Sequence, residues 1–253
     1  MSFGGILSMI AIAGLLCLST SGCSTAKTKE ESILRMRNGT ALLEQGHYPE
    51  ALRELLLAEK LDPSNAGIQN NLGLTYFLRE KYDLAAKHLA RAVDLKPDYS
   101  EARNNYGRVL IEQGQYTRAI TELEKVIKDL TYTEPSRAWV NLGLARFRQK
   151  NYAGAKKDFT EAIKLNREDC LAHTLYGRSL FEMGKFEQAA PALDNAVVVC
   201  RAQKFDEPHY FSGLSYYKLG RTSDAVSRME EVIKLYPGSR YATKAESILK
   251  LMR

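Results

Sequence analysis

One glycine recurs along this chain at an almost fixed interval, and that periodicity limits the fold more than any other feature. It stands at Gly39, Gly73, Gly107, Gly143, Gly177 and Gly213, with spacings of 34, 34, 36, 34 and 36 residues. Twelve residues after each glycine comes an alanine: Ala51, Ala85, Ala119, Ala155, Ala189 and Ala225. Four residues further on stands a large apolar side chain, Leu55, Leu89, Leu123, Phe159, Leu193 or Met229. That last spacing puts alanine and large residue on one helical face. Small residues at constant offset mark places where two antiparallel helices come close, so each period reads as one helical hairpin.

The turns inside the hairpins are as regular as the glycines. Gly46, Gly114, Gly184 and Gly220 stand where a helix C-terminus favours a left-handed residue, and Tyr48, Tyr82, Tyr116, Tyr152 and Phe186 follow as plugs for the hairpin ends. Asp62-Pro63, Lys96-Pro97 and Tyr236-Pro237 end three of the hairpins, because proline blocks further propagation. The fourth has Asn166-Arg167 in place of a proline, and the chain gains two residues around Thr131 to Pro135 and Arg201 to Pro208, where irregular superhelical pitch is expected. Ser239 to Met252 reads as a last helix that covers the exposed face of the terminal repeat.

The glycine–alanine pattern resembles the tetratricopeptide signature over residues 32 to 237. The resemblance implies an all-α, right-handed superhelical solenoid over 32–253. Its six hairpins fall near 32–65, 66–99, 100–135, 136–169, 170–205 and 206–238, with a cap at 239–252. In that family one face of the first helices lines a concave groove. Counted from the start of each repeat, position twelve gives an apolar row of Leu43, Phe77, Ile111, Phe147, Phe181 and Tyr217. Position nine contributes Leu144, with Arg108 and Arg178 interrupting an otherwise mostly apolar strip, and position five contributes Asn70 and Asn104. Asparagine can bond a peptide backbone without reading its sequence, and arginine can hold a carboxylate by two bonds. The same aromatic row also suits simple packing between adjacent first helices, and both readings stand. Asn71, Asn105 and Asn141 read as structural.

Residues Met1 to Gly22 contain no ionisable side chain and carry an apolar stretch from Ile6 to Leu18, too short to span a bilayer comfortably and suited to an export signal. The stretch ends in Leu18-Ser19-Thr20-Ser21-Gly22-Cys23, which resembles the bacterial lipobox. That resemblance implies a lipoprotein signal peptide over 1–22 and acylation, with palmitate among the chains, at Cys23. By analogy with enteric sorting, Ser24 implies the outer membrane, facing the periplasm. A conventionally cleaved signal peptide is the rival, because Thr20 and the missing basic n-region depart from the pattern. Small and charged residues over 23–31 suit a tether without a packed face.

The charge balance points away from nucleic acid. The excess of 36 Lys plus Arg over 30 Asp plus Glu never gathers into a basic run. No HExxH, phosphate loop, CxxC or GxSxG motif occurs, and His47, His88, His173 and His209 form no constellation. Neither catalytic residues, cofactor, metal nor small-molecule substrate are expected. Cys170 and Cys200 lie at similar distances on either side of Gly184, so a hairpin brings them to one end. A disulfide and two buried thiols are both compatible with that placement.

A lipid-anchored array of six repeats resembles the type IV pilus pilotins, the PilF/PilW/Tgl group. This implies a protein partner, a secretin subunit, held in the groove while the lipid on Cys23 positions it at the outer membrane for multimer assembly. The alternative is a cell-envelope adaptor for outer-membrane barrel assembly or peptidoglycan enzymes. Tyr236-Pro237-Gly238-Ser239-Arg240-Tyr241-Ala242 resembles a pattern of such proteins, whereas the regular spacing of the other repeats argues against them.

Overall fold

The structure, a computed structural model, describes residues 26–252. The expected signal peptide and Cys23 lie outside the described residues. Helix α1 covers 26–44, so residues 26–31 of the expected tether are helical. Lys, Glu and Ala are strong helix formers, and Glu31 pairs with Arg35 one turn later at 3.0 Å. The next five elements are α2 (Tyr48–Leu61), α3 (Ala66–Leu78), α4 (Tyr82–Leu95), α5 (Ser100–Glu112) and α6 (Tyr116–Val126). They are followed by α7 (Pro135–Arg148), α8 (Tyr152–Leu165), α9 (Cys170–Glu182), α10 (Phe186–Val199), α11 (Glu207–Lys218), α12 (Thr222–Leu235) and α13 (Arg240–Met252). These are six consecutive hairpins and a terminal helix, with no strand among the described residues.

The chain divides into two compact units, residues 1–109 and 110–253. In the first, Leu55, Ala58, Ile68 and Leu72 form a buried cluster between α2 and α3. In the second, Phe159 and Leu175 pack with Ala155, and α13 closes the last hairpin by adding Ala242, Ala245 and Leu249 to a cluster with Phe211 and Met229. Among the described residues no helix is long and apolar enough to cross a membrane.

The periodic glycines make room for the large residue sixteen positions later. A Cβ on Gly39 would lie 2.7 Å from Leu55 Cγ, and one on Gly177 2.7 Å from Leu193 Cγ. All six turns place one residue in the left-handed region: Gly46, Gly114, Gly184 and Gly220, with Glu80 (φ 58°) and Lys150 (φ 66°) where glycine is missing. Helices α2, α4 and α12 stop one or two residues before Pro63, Pro97 and Pro237. Both two-residue gains become local turns: 127–134 after α6, and a 3-10 turn at Arg201–Gln203 followed by left-handed Lys204. Cys170 and Cys200 form a disulfide, S–S 2.07 Å and Cα–Cα 4.9 Å, joining the start of α9 to the end of α10.

Candidate functional site

The expected groove residues fall in both units, and each set has its own surroundings. In the first unit, Asn70 and Asn104 are 1% exposed. The Asn70 carboxamide oxygen accepts from Asn105 Nδ2 at 3.0 Å, and its Nδ2 donates to Asn71 Oδ1 at 3.1 Å. Asn71 Nδ2 in turn donates to Thr40 Oγ1 at 2.7 Å. This ladder ties α1, α3 and α5 together and commits Asn70 to packing, since a buried amide left unpaired costs about 1–3 kcal/mol. Phe77 is half-buried, with Tyr82 tilted against it at 5.8 Å, and the exposed Arg108 guanidinium lies 5.2 Å from its ring centre.

In the second unit Phe147 and Phe181 are braced in the same way. Phe147 meets Tyr152 edge-on at 5.2 Å, and Phe181 meets Phe186 at 5.3 Å and Phe211 at 5.3 Å. In hairpins two, four and five the aromatic after the turn therefore props up the position-twelve ring of its own hairpin. Ile111 is buried, Leu144 packs beside Phe147, and Tyr217 is the open end of the row at 40% exposure.

Arg178 is the most constrained member. Its guanidinium sits 4.3 Å from the Phe211 ring centre and 5.0 Å from that of Phe147, and donates to Glu207 at 2.7 Å and Glu182 at 3.2 Å. Burial works against its charge, yet Glu207 and Glu182 hold its pKa above the ordinary arginine value. A partner carboxylate would have to compete with both. Among the described residues Arg108 faces no such pair, and it is the freer cation of the two.

The arrangement has a signal that the sequence reading missed. Phe77 and Arg108 are 31 residues apart, and so are Phe147 and Arg178, which places position nine of one hairpin over position twelve of the one before. A second missed feature is Asp158, 2% exposed on α8, held by Arg146 at 2.5 and 2.7 Å, with Glu124 on the same guanidinium at 2.6 Å. Its sequence signal is Arg146 itself, at a repeat position where the other hairpins carry Leu or Tyr. Burial pushes the Asp158 carboxyl up to about 6, with Arg146 opposing.

Two of the histidines, His88 and His209, serve packing. His209 is 5% exposed beside Glu231, and His88 stacks on Tyr76 at 5.3 Å with Nδ1 bonded to Gln69 at 2.8 Å. Burial lowers the pKa of both. Among the described residues no group of three or more His, Cys, Asp or Glu side chains is placed to hold a metal ion.

Repeated antiparallel hairpins with small residues at each crossing, and half-open aromatic rings along the first helices, define a helical-repeat scaffold of the kind that holds other proteins. Models of the tetratricopeptide repeat match residues 36–100, 76–131, 136–169 and 212–239, and the chain belongs to the tetratricopeptide-repeat proteins. The type IV pilus assembly protein PilF of Pseudomonas aeruginosa is 29% identical over 167 residues, covering 62% of this chain and 66% of that protein. Human tetratricopeptide repeat protein 13 is 26% identical over 162 residues, 18% of its length, so the chain spans less than two thirds of either relative. The crystal structure of PilW, a type IV pilus biogenesis factor, superposes with a TM-score of 0.78 at 19% identity, covering 86% of this chain and 98% of PilW. The Pseudomonas aeruginosa PilF structure gives 0.73 at 24% identity, covering 87% and 99%.

Proposed function

We propose that the chain is a non-catalytic scaffold of type IV pilus biogenesis, a pilotin lipid-anchored through Cys23 to the periplasmic side of the outer membrane. It captures a secretin subunit and promotes its localisation and multimer assembly. The observation that carries this reading is the likeness to PilF, in sequence over 62% of this chain and in fold over nearly all of the solved PilF. Within each unit the binding surface is formed by its own position-twelve rings. In Phe77, Phe147 and Phe181 one side of the ring is braced by the turn aromatic, which keeps the ring fixed without ordering cost when a partner covers it.

The test is complementation of a deletion strain, with secretin multimers read by immunoblot beside the general level of outer-membrane barrel proteins. Phe147→Ala and Phe181→Ala, if they melt near the wild type, should weaken secretin pull-down by about tenfold or more, because a buried aromatic anchor carries a large share of interface energy. Lys156→Ala should leave capture near wild type, and Cys23→Ala should lose palmitate labelling and outer-membrane location. A broad fall in barrel proteins, with secretin capture absent even in the wild type, would transfer the chain to the envelope-adaptor class.

A further inference from the structure

Arg167 stands where hairpins one, two and six carry Pro63, Pro97 and Pro237, and the proposed function gives it no task. Its backbone carbonyl accepts a hydrogen bond from His173 Nε2 at 3.0 Å, while Asn195 Nδ2 donates to His173 Nδ1 at 3.1 Å. With the Asn195 amide placed this way, Nε2 is the donor and Nδ1 the acceptor of the ring. The residues line a groove of about 520 Å³ between α8 and α10, floored by Ile163, Tyr176 and Ala192 and edged by Lys164 and Arg167.

A smaller groove of about 370 Å³ recurs at the same repeat positions against α13, lined by Glu230, Ile233 and Lys234, whereas the two junctions that flank this one carry a large or an ion-paired side chain at the corresponding positions. Where hairpin five has His173, hairpin four has Trp139, packed against Val140, Ala162 and Ala172. In hairpin six Arg228 bonds Asp194 at 2.9 Å and Glu231 at 2.7 Å, so its cation is already neutralised. Arg167 is exposed and pairs with no carboxylate among the described residues. Lys164 is held only by a surface pair to Glu161 at 2.7 Å, the kind of ion pair that exchanges at little cost.

We propose that this groove is a second docking site, which takes a segment of a protein partner bearing a carboxylate next to an apolar side chain. The apolar floor of Ile163, Tyr176 and Ala192 accepts the side chain, and Arg167 binds the carboxylate through two parallel N–H donors with Lys164 beside it. An extended peptide fits better than a compact metabolite because the groove is open to solvent and not an enclosed cavity. The disulfide preorganises the site. Cys170 lies three residues before His173 and Cys200 five after Asn195, so the bond fixes the two helices that supply floor and wall. The proposal is independent of the pilotin reading, since it uses none of the position-twelve rings.

The experiment titrates the full chain, solubilised in mild detergent, into fluorescein-labelled peptides and follows anisotropy. The probe is Gly-Ser-Gly-Asp-Phe-Gly-Ser-Gly, with Lys-Phe and Asp-Ser versions as controls. Saturable binding of the Asp-Phe peptide is expected, with each control at least about tenfold weaker. Arg167→Glu should weaken it by a similar factor while melting near the wild type, Arg167→Lys should recover most of the loss, and Arg91→Glu, at an exposed position on α4 outside both sites, should change nothing. Reduction of the disulfide should weaken binding by about threefold or more. Absence of saturable binding, equal binding of the Lys-Phe peptide, or an unchanged affinity in Arg167→Glu overturns the proposal. Displacement of the probe by benzoate as readily as by unlabelled peptide also overturns it, in favour of a small-carboxylate site.

Discussion

The ring of Phe159 occupies the space that a methyl group on Gly143 would need. A Cβ there would lie 2.6 Å from Cε1 and 2.8 Å from Cδ1, and an aromatic ring cannot bend aside. Gly143→Ala is therefore expected to cost on the order of 1–3 kcal/mol by overpacking. Gly213 holds the same repeat position but faces the end of Met229, with Cε at 3.0 Å, and a thioether chain yields more easily. Gly213→Ala should thus shift the urea midpoint less than Gly143→Ala, and equal shifts would contradict this account of the crossing. The glycine and its partner sixteen residues on were visible in the sequence because one geometric demand is repeated six times. Asp158 was not, because a single aspartate on a second helix looks like any solvated charge. Only its pairing with Arg146, across the hairpin, explains a buried carboxylate there. Arg178 is a similar case: its type and position suggested a free clamp, but Glu207 comes from the next hairpin and no local pattern announces it.

At the scale of the hairpin, the turn decides how cheaply two helices can be joined. Gly46 adopts φ 80° without penalty, whereas Lys150 at φ 66° places a Cβ against its own carbonyl. A left-handed non-glycine residue costs roughly 1–2 kcal/mol, offset in part by the greater unfolded-state freedom of glycine. Lys150→Gly should accordingly stabilise the chain by up to about 1 kcal/mol, and a lowered urea midpoint would refute it. Hairpin five has a different support. Its two helices are joined at their open ends by Cys170–Cys200, across a sequence separation of 30. On the chain-entropy model a closed loop of this length contributes roughly 3–4 kcal/mol, so Cys170→Ala/Cys200→Ala should lower the midpoint far more than reductant lowers that of the double variant. An equal response of both proteins to reductant would remove the bond from the account. The sequence placed both cysteines at one end of the hairpin. It could not choose between bond and thiols, because that choice rests on Cβ directions and not on residue count.

In the whole molecule each hairpin touches mainly its neighbours, so stability is close to a sum of local terms and titrations in separate hairpins should add. Three groups whose pKa values burial shifts contribute to the pH dependence of that sum. His88 on α4 and His209 on α11 have pKa values lowered by burial, so the unfolded chain takes up their protons first. Their contribution is fully present above the unfolded value of about 6.5 and is lost as pH falls below it. Asp158 has the opposite sign. Its carboxyl is raised to about 6, so its contribution is present at low pH and lost as pH rises from the unfolded value through about 6. The wild type should therefore lose stability on acidification from pH 7, with the loss softened below about pH 6 as Asp158 takes up its proton. His209→Gln, which keeps a side-chain amide to face Glu231, should flatten the fall between about pH 7 and 6, and His88→Gln should do so independently. Asp158→Asn should steepen the fall between about pH 6 and 5, whatever it costs at pH 7 through the loss of a partner for Arg146. Urea midpoints at half-unit pH intervals would separate these outcomes. If Asp158→Asn runs parallel to the wild type below pH 6, the carboxylate is ionised throughout, and Arg146 outweighs burial at that site.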